Sequence, residues 1–134
     1  MKEDFVSFET AKLLKEKGFD WDCIMVYDLE KPKSCADGKL YDNFDNKNPN
    51  RFPDLCSAPS LAMAMKWLRK THNLAISTSV TIDGWHSYVS QIKLDDEGFV
   101  VSIIDGIDDG NIPNCDTFEK SAEAALKYCL TNLI

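Results

Sequence analysis

The sequence has few of the residues that build metal centres and disulfide frameworks. It contains two histidines, His72 and His86, and five cysteines, no two of which form a C-x-x-C pair. Structural zinc sites usually draw their ligands from close Cys or His pairs, so this spacing disfavours zinc. An odd number of cysteines also disfavours a disulfide framework, and we expect free, reduced thiols. The cysteines are Cys23, Cys35, Cys56, Cys115 and Cys129.

Motifs that bind nucleotides or build nucleophilic sites are also missing. No G-x-x-x-x-G-K-[ST], G-x-G-x-x-G or G-x-S-x-G segment occurs, and no cysteine-protease pattern surrounds a nucleophile. A catalytic Cys–His pair would have to be assembled entirely by the fold. We therefore predict no catalytic site and no cofactor, and keep an enzyme with an unrecognised site as a minor alternative.

No apolar run approaches the length of a membrane span, and runs such as Leu61–Met65 are much too short. The residues Met1-Lys2-Glu3-Asp4 are not followed by the apolar stretch of a secretory signal. The expectation from these two features is a cytoplasmic protein that does not contact membranes.

Basic residues are absent from one long segment. The chain has 15 Lys and Arg against 22 Asp and Glu, a formal net charge of −7, and no Lys or Arg lies between Leu94 and Glu119. Phosphate backbones and anionic lipids repel an acidic chain, so we expect no direct binding of nucleic acid. The acidic segment itself is a candidate binding surface for a basic protein.

Three carboxylates in this segment, Asp105, Asp108 and Asp109, are weak candidate ligands for a divalent ion. The spacing partly matches an EF-hand loop, but Ile107 stands where an oxygen ligand is required, and Asp116 stands where a bidentate Glu is usual. The segment also follows a predicted strand and not a helix. We therefore predict a solvated loop from Asp105 to Asp116 and no EF-hand.

The remaining composition, 44% hydrophobic and 28% charged over 134 residues, is typical of one globular domain spanning 1–134. Ser7 predicts the start of a first helix that ends at Gly18. Pro59 is expected in the first turn of a second helix that runs to Lys70. Thr117 caps a last helix with an apolar stripe formed by Phe118, Ala122, Ala125, Leu126, Cys129, Leu130 and Leu133.

Residues with period-two alternation predict an antiparallel β-meander of three strands, at Ala75–Ile82, Trp85–Leu94 and Phe99–Ile104. Asp83-Gly84 is the expected tight turn between the first two. The predicted faces of these two strands are Ile76, Thr78, Val80 and Ile82 in the first, and Tyr88, Ile92 and Leu94 opposite Ser87, Gln91 and Lys93 in the second.

Nearer the N-terminus, Cys23–Tyr27 is predicted as a strand, and a turn at Asp37-Gly38 returns Lys39–Tyr41 against it as a hairpin. The Asn- and Asp-rich segment Asp42–Asp54 is predicted as a surface loop. The whole pattern predicts an α+β fold, in which the meander and an N-terminal strand or hairpin pack with three helices in a sandwich-like arrangement.

Three segments resemble a group of small uncharacterised proteins of gut anaerobic bacteria and their phages and mobile elements. They are Val6–Phe19, the stretch from Ala58 to Arg69, and Ala122–Leu130, which coincide with the three predicted helices. The resemblance implies no particular activity, catalytic residue or cofactor.

Two functional hypotheses follow from these features. Met63 and Trp67 widen the apolar stripe of the second helix, so that this helix is either central to the core or presents a second apolar face to a protein partner or to another copy of the chain. The leading hypothesis is therefore a non-enzymatic interaction protein. The alternative is an acidic inhibitor that mimics nucleic acid and binds a basic host enzyme, with Asp108 and Asp109 essential.

Overall fold

The computed structural model of the chain describes residues 4–30, 39–43, 45, 47–98, 100–105 and 112–134. Its helices are α1 (Phe8–Glu16), α2 (Leu61–His72) and α3 (Phe118–Tyr128), and its strands are β1 (Met25–Asp28), β2 (Tyr41–Asp42), β3 (Leu55–Ser57), β4 (Leu74–Thr81), β5 (Gly84–Leu94) and β6 (Val100–Asp105). The strands form two antiparallel three-stranded sheets. The predicted α+β class is confirmed.

The chain divides into two compact units, Met1–Ala64 and Met65–Ile134. The first contains the sheet β2-β1-β3 and the second the sheet β4-β5-β6. The sandwich-like arrangement and the organisation of 1–134 as one domain stay predictions.

Helix α1 of the first unit begins and ends at the predicted signals. The Ser7 hydroxyl accepts a hydrogen bond from the Thr10 amide at 3.3 Å, and so satisfies a backbone donor that has no partner within the helix. Gly18 adopts a φ of +89° just beyond the helix, a conformation that favours glycine. The helix packs on β3 through buried residues that include Ala11 and Leu14.

The first sheet confirms the predicted pairing near the N-terminus. Strand β1 pairs with β2 in the register Val26↔Tyr41 and with β3 in the register Tyr27↔Cys56. The turn predicted at Asp37-Gly38 lies outside the described residues. Strand β3 was not predicted, because its three residues are too few to show alternation.

The prediction of a surface loop over Asp42–Asp54 is wrong in part. Pro49–Arg51 forms a short 3₁₀ helix, whose first turn is capped by the Asn48 side chain as it accepts a hydrogen bond from the Asn50 amide at 3.0 Å. Asn43 and Pro49 are buried. Polar residues enter the interior here because their side chains bond backbone groups, which hydropathy does not reveal.

Helix α2 begins later than predicted. Its first residue is Leu61, so Pro59 precedes the helix and does not belong to its first turn. The Ser60 hydroxyl accepts a hydrogen bond from the Met63 amide at 3.1 Å and caps the helix. The Pro59 carbonyl instead accepts a hydrogen bond from the Val6 amide at 3.0 Å, which keeps the residues before the helix extended.

The second unit contains the predicted meander. Strands β4 and β5 pair without interruption from Leu74↔Gln91 to Thr81↔Gly84, and β6 pairs with β5. The tight turn is therefore one residue earlier than predicted, because Gly84 is already paired with Thr81. Gly84 adopts a φ of +118°, which accounts for glycine at this corner.

The predicted faces of the two long strands are partly wrong. In β4, Ile76 is buried, but Val80 is 61% exposed, and Ile82 in the turn is fully exposed. In β5 the buried residues include Ser87 and Val89, whereas Leu94, predicted on the apolar face, is 66% exposed. The buried face of β5 therefore contains a serine, for which hydrogen bonds compensate.

That serine belongs to a buried line of hydroxyl groups between the sheet and α3. Ser87 Oγ lies 2.8 Å from Thr78 Oγ1 and 2.7 Å from Ser121 Oγ, and Ser121 is fully buried on α3. Each hydroxyl in the line thus has a hydrogen-bonding neighbour, which offsets the loss of hydration.

Helix α3 confirms the predicted cap and stripe. The Thr117 hydroxyl accepts a hydrogen bond from the Lys120 amide at 3.1 Å. Helix α3 packs on β4 and β5, and continues into a π-helical turn at Cys129–Leu133. Leu126 and Leu130 are completely buried, whereas Phe118 at the helix start is 39% exposed and contacts the Trp85 ring edge to face.

Candidate functional site

The first unit contains an apolar pocket of about 240 Å³ beside the start of α2. We call it the Met63 pocket. It is lined by Phe5, Asp22, Cys23, Ile24, Ala58, Pro59, Ser60 and Met63. Six of these eight side chains are apolar or sulfur-containing, so the pocket favours an apolar occupant.

Backbone pairing forms one wall of the Met63 pocket. Phe5 and Ser60 make an isolated antiparallel bridge, and the Leu61 amide donates a hydrogen bond to the Asp4 carbonyl at 2.9 Å. These bonds position Phe5 next to Pro59 before α2 begins. The wall is therefore built from two segments that pair with each other through their backbones.

The opposite wall, residues 22–24, is fixed by the buried side chain of Asn43. Its Nδ2 donates to the Cys23 carbonyl and to the Lys47 carbonyl, both at 2.7 Å. The Asn43 amide also donates to the Ile24 carbonyl at 2.8 Å. Because Asn43 binds both Cys23 and Ile24 through their carbonyls, it orients the side chains that line the pocket.

Cys23 contributes a buried thiol to the Met63 pocket. Its side chain is almost fully buried, and its Sγ lies 3.9 Å from the sulfur of Met63. Burial raises the pKa of the Cys23 thiol from 9.0 to about 11, and the neighbouring Asp22 carboxylate acts in the same direction. The thiolate is the nucleophilic form, so at neutral pH this cysteine behaves as a small apolar group.

Ile24 and Met63 differ in their accessibility at the pocket. Ile24 is 55% exposed, and Met63 is half-buried. Pro59 and Ala58, in contrast, are almost completely buried. A partner would therefore meet apolar surface mainly at Ile24 and Met63.

A second pocket of about 320 Å³ in the same unit has more charged residues in its lining. The carboxylates of Asp28, Asp42 and Asp45 line it, together with Arg51. Arg51 forms an ion pair with Asp45, and the hydrogen bond from Arg51 lowers the pKa of that carboxyl group. The guanidinium is thus already engaged by a residue of the chain itself.

The structure places the predicted interaction residues in different environments. Met63 lines the pocket described above, whereas Trp67 is only 1% exposed. The hypothesis that Trp67 lies on an outward apolar face is therefore wrong, and the interpretation of α2 as a central helix accounts for this residue.

Of the three carboxylates predicted as weak metal ligands, Asp105 alone lies within the described residues. Asp105 is the last residue of β6, where its backbone is paired with Val89. Asp108 and Asp109 lie outside the described residues, so the acidic-inhibitor alternative stays a prediction. Within the described ranges no group of three or more His, Cys, Asp or Glu side chains is placed to hold a metal ion.

The two histidines make contacts that fit structural positions. His72, the last residue of α2, packs its ring edge to face against Trp67 with the centroids 5.0 Å apart. His86 is buried, and its Nε2 lies 2.6 Å from the Thr81 hydroxyl. The four described cysteines, Cys23, Cys56, Cys115 and Cys129, are free, as predicted.

Sequence reasoning found Met63 and missed the rest of the pocket. Helical periodicity identifies Met63, because it lies beside the stripe that contains Leu61 and Ala64. Phe5, Cys23 and Pro59 are brought together by backbone bonds between distant segments, for which no local pattern exists. Asn43 was placed in the predicted loop, although a buried asparagine amide with two carbonyl partners is a positioning residue.

Together these features define an α+β protein with an apolar pocket that contains a buried thiol. No protein-family model, curated protein or solved structure matches the chain. The resemblance to small proteins of gut anaerobes and their phages stays a prediction. None of the helices in the described part of the chain combines the length and the apolar character needed to cross a bilayer.

Proposed function

We propose that this chain is a small accessory protein with a binding function, which takes an apolar side chain of a protein partner into the Met63 pocket. The observation that carries the proposal is the combination, at one place, of a mostly apolar pocket lining and an exposed apolar residue, Ile24. Apolar anchors in such pockets supply most of the affinity of many protein complexes.

The size of the pocket favours a side chain over a cofactor. Sites for drug-sized ligands and cofactors usually span about 300–1,000 Å³. The Met63 pocket, at about 240 Å³, is below this range. It therefore suits a single large apolar side chain, such as leucine, methionine or phenylalanine.

The chemistry of the lining residues favours binding over catalysis. Burial raises the pKa of the Cys23 thiol and so lowers a thiolate fraction that is already small at neutral pH. The Ser60 hydroxyl already accepts a hydrogen bond from the Met63 amide, as the cap of α2. Both potential nucleophiles of the pocket thus have structural roles.

The charge of the protein indicates which residues flank the anchor in the partner. The Asp22 carboxylate lies in the pocket lining, and the chain carries a net charge of −7. A basic residue beside the apolar anchor would be attracted, and an acidic one would be repelled. We therefore expect a partner segment that combines one large apolar side chain with a neighbouring Lys or Arg.

Selection of peptides from a random display library on the immobilised protein tests this proposal. We expect the selected peptides to share an apolar anchor next to a basic residue, and their affinity to fall at least tenfold for Met63→Lys. Met65→Lys is the matched control, since Met65 is also half-buried on α2 but does not line the pocket.

A second variant pair protects the test against a simple loss of folding. Ile24→Asp changes an exposed residue of the pocket, and Ile82→Asp changes an exposed isoleucine far away in the sequence. The proposal is wrong if the selected peptides bind Met63→Lys as tightly as Met65→Lys, and Ile24→Asp as tightly as Ile82→Asp. Peptides that lack an apolar anchor and dissociate in moderate salt would instead favour the acidic-inhibitor alternative.

A further inference from the structure

Strand β4 is an open edge of the second sheet. Within the described residues of the second unit, its only strand neighbour is β5. The residues from Ser77 to Thr81 are exposed or half-buried. An unpaired edge of this kind is a template for another strand.

The pairing with β5 determines which backbone amides and carbonyls of β4 point away from β5, toward a second strand. The Ile92 amide donates to the Asn73 carbonyl at 2.7 Å, and the register continues regularly to Thr81↔Gly84. In an antiparallel ladder alternate residues bond the neighbouring strand, so the odd-numbered residues of β4 bond β5. The amides and carbonyls of residues 74, 76, 78 and 80 therefore point outward.

The edge lacks the features that normally prevent strand pairing. From Leu74 to Ile82 the sequence contains no charged residue and no proline, and the β4–β5 register shows no bulge. Two copies of a chain with a net charge of −7 would also meet here without bringing ionisable groups of β4 together. The edge thus carries no local electrostatic barrier to a second copy.

The sequence of the edge is nearly symmetric about Thr78. Read in either direction, Leu74-Ala75-Ile76-Ser77-Thr78-Ser79-Val80-Thr81-Ile82 places similar side chains at equivalent positions. Antiparallel pairing about a twofold axis at Thr78 sets Ile76 opposite Val80 and Thr78 opposite its own copy. Every residue so paired is even-numbered, and its backbone groups are the ones that point outward.

From this symmetry we infer that two copies of the chain associate through β4, which forms a continuous six-stranded sheet in the order β6-β5-β4-β4-β5-β6. The pairing covers the exposed Val80 with a β-branched residue of the second copy, a favourable cross-strand contact. It is independent of the binding function proposed for the Met63 pocket. A dimer would carry two such pockets.

The interface is small, because one strand of each copy supplies most of the contact. We therefore expect a reversible dimer with a dissociation constant on the order of 10–100 µM. Sedimentation equilibrium over a range of protein concentrations should show the mass rising from the monomer value of 15.1 kDa toward twice that value.

Amide hydrogen exchange measured by NMR distinguishes this interface from any other. The outward amides of Ile76, Thr78 and Val80 should exchange about three- to fivefold more slowly at about 1 mM than at about 50 µM protein. The amides of Ser77 and Ser79, which bond β5, should be protected at both concentrations. Such an alternating pattern is expected only if a strand adds to this edge.

Substitutions at Val80 complete the test. Val80→Lys places a charge on the edge, and Val80→Pro removes an outward amide, so each should weaken the dimer at least tenfold. Leu94→Lys is the control, because it removes an exposed apolar side chain from β5 and should leave the dimer unchanged. Circular dichroism verifies that each variant is folded.

Two results would overturn the inference. One is a wild-type protein that remains a monomer at every concentration up to about 1 mM. The other is a dimer that survives both substitutions at Val80, with the outward amides of β4 exchanging at the same rate at low and high concentration.

Discussion

Alkylation of Cys23 with iodoacetamide measures the chemical character of the Met63 pocket. The folded protein and the same chain unfolded in guanidinium are treated at about pH 7.5, where an ordinary thiol is already partly ionised. Burial raises the pKa of the Cys23 thiol from 9.0 to about 11 in the folded protein. The reaction at this one residue should therefore be slower in the folded state.

The size of the effect follows from two opposing factors. A pKa higher by about two units lowers the thiolate fraction roughly a hundredfold. A more basic thiolate is also intrinsically more nucleophilic, and this raises its rate constant by a factor of roughly 6–10. The net slowing from the pKa alone is about 10- to 15-fold, and the near-complete burial of Cys23 slows the reaction further.

Mass spectrometry of the peptide that contains Cys23 gives its rate separately from those of the other cysteines. The logarithm of this rate should rise with pH with a slope of about one through pH 10, without levelling near 9. Circular dichroism at each pH verifies that the protein stays folded. A folded-state rate equal to the unfolded one, or a plateau below pH 9, would refute the argument and make Cys23 a candidate nucleophile.

Two further substitutions test the second unit by thermal or denaturant unfolding. Ser87→Ala should lower the free energy of unfolding by about 1–3 kcal/mol, because it removes the hydrogen-bonding neighbour of the buried Ser121 hydroxyl. Ser90→Ala on the same strand should change it by less than about 0.5 kcal/mol, and equal effects would contradict the role of Ser87. Gly84→Ala should be more destabilising than Gly98→Ala, although both positions have positive φ, since only at Gly84 would the new Cβ lie 2.8 Å from a backbone carbonyl oxygen. Equal losses at the two glycines would show that this close approach has no effect.

Local signals in the sequence were sufficient for the helices and for the meander. Ser7 and Thr117 cap their helices with hydrogen bonds to amides three residues away, so the sequence alone contains both partners. The alternation in β4 and β5 likewise extends over many residues. Elements of this kind depend little on the rest of the fold.

Burial was harder to predict than secondary structure. The buried face of β5 contains Ser87 because Thr78 and Ser121 offer it hydrogen bonds, whereas the apolar Leu94 near the end of the strand is exposed. Hydropathy assigned these two residues to the wrong environments, since a polar side chain with partners can be buried at little cost. Trp67 was proposed as an interaction residue although it is buried, because a wide apolar stripe fits both a central helix and a helix that docks on a partner.

The candidate site could be predicted only through one of its members. Met63 follows from helical spacing, but the pocket also requires Phe5 beside Pro59 and the wall at Cys23 held by Asn43. These contacts join segments about 20 to 55 residues apart. The entropy lost on closing the loops between them is compensated by interactions throughout the fold and not by local sequence. Three-dimensional structure was therefore needed to define the site.

The most direct test of the proposed function uses the methionine methyl groups as NMR probes. The protein, labelled at the methionine methyl groups, is titrated with N-acetyl-phenylalanine amide, a minimal apolar anchor, and Met63→Leu assigns the relevant signal. We predict that the Met63 methyl signal shifts saturably, while the Met65 signal, from a residue outside the pocket, does not move. A Met63 signal that is unaffected up to the solubility limit of the probe, or that shifts no more than the Met65 signal, would contradict the assignment of this pocket as a binding site.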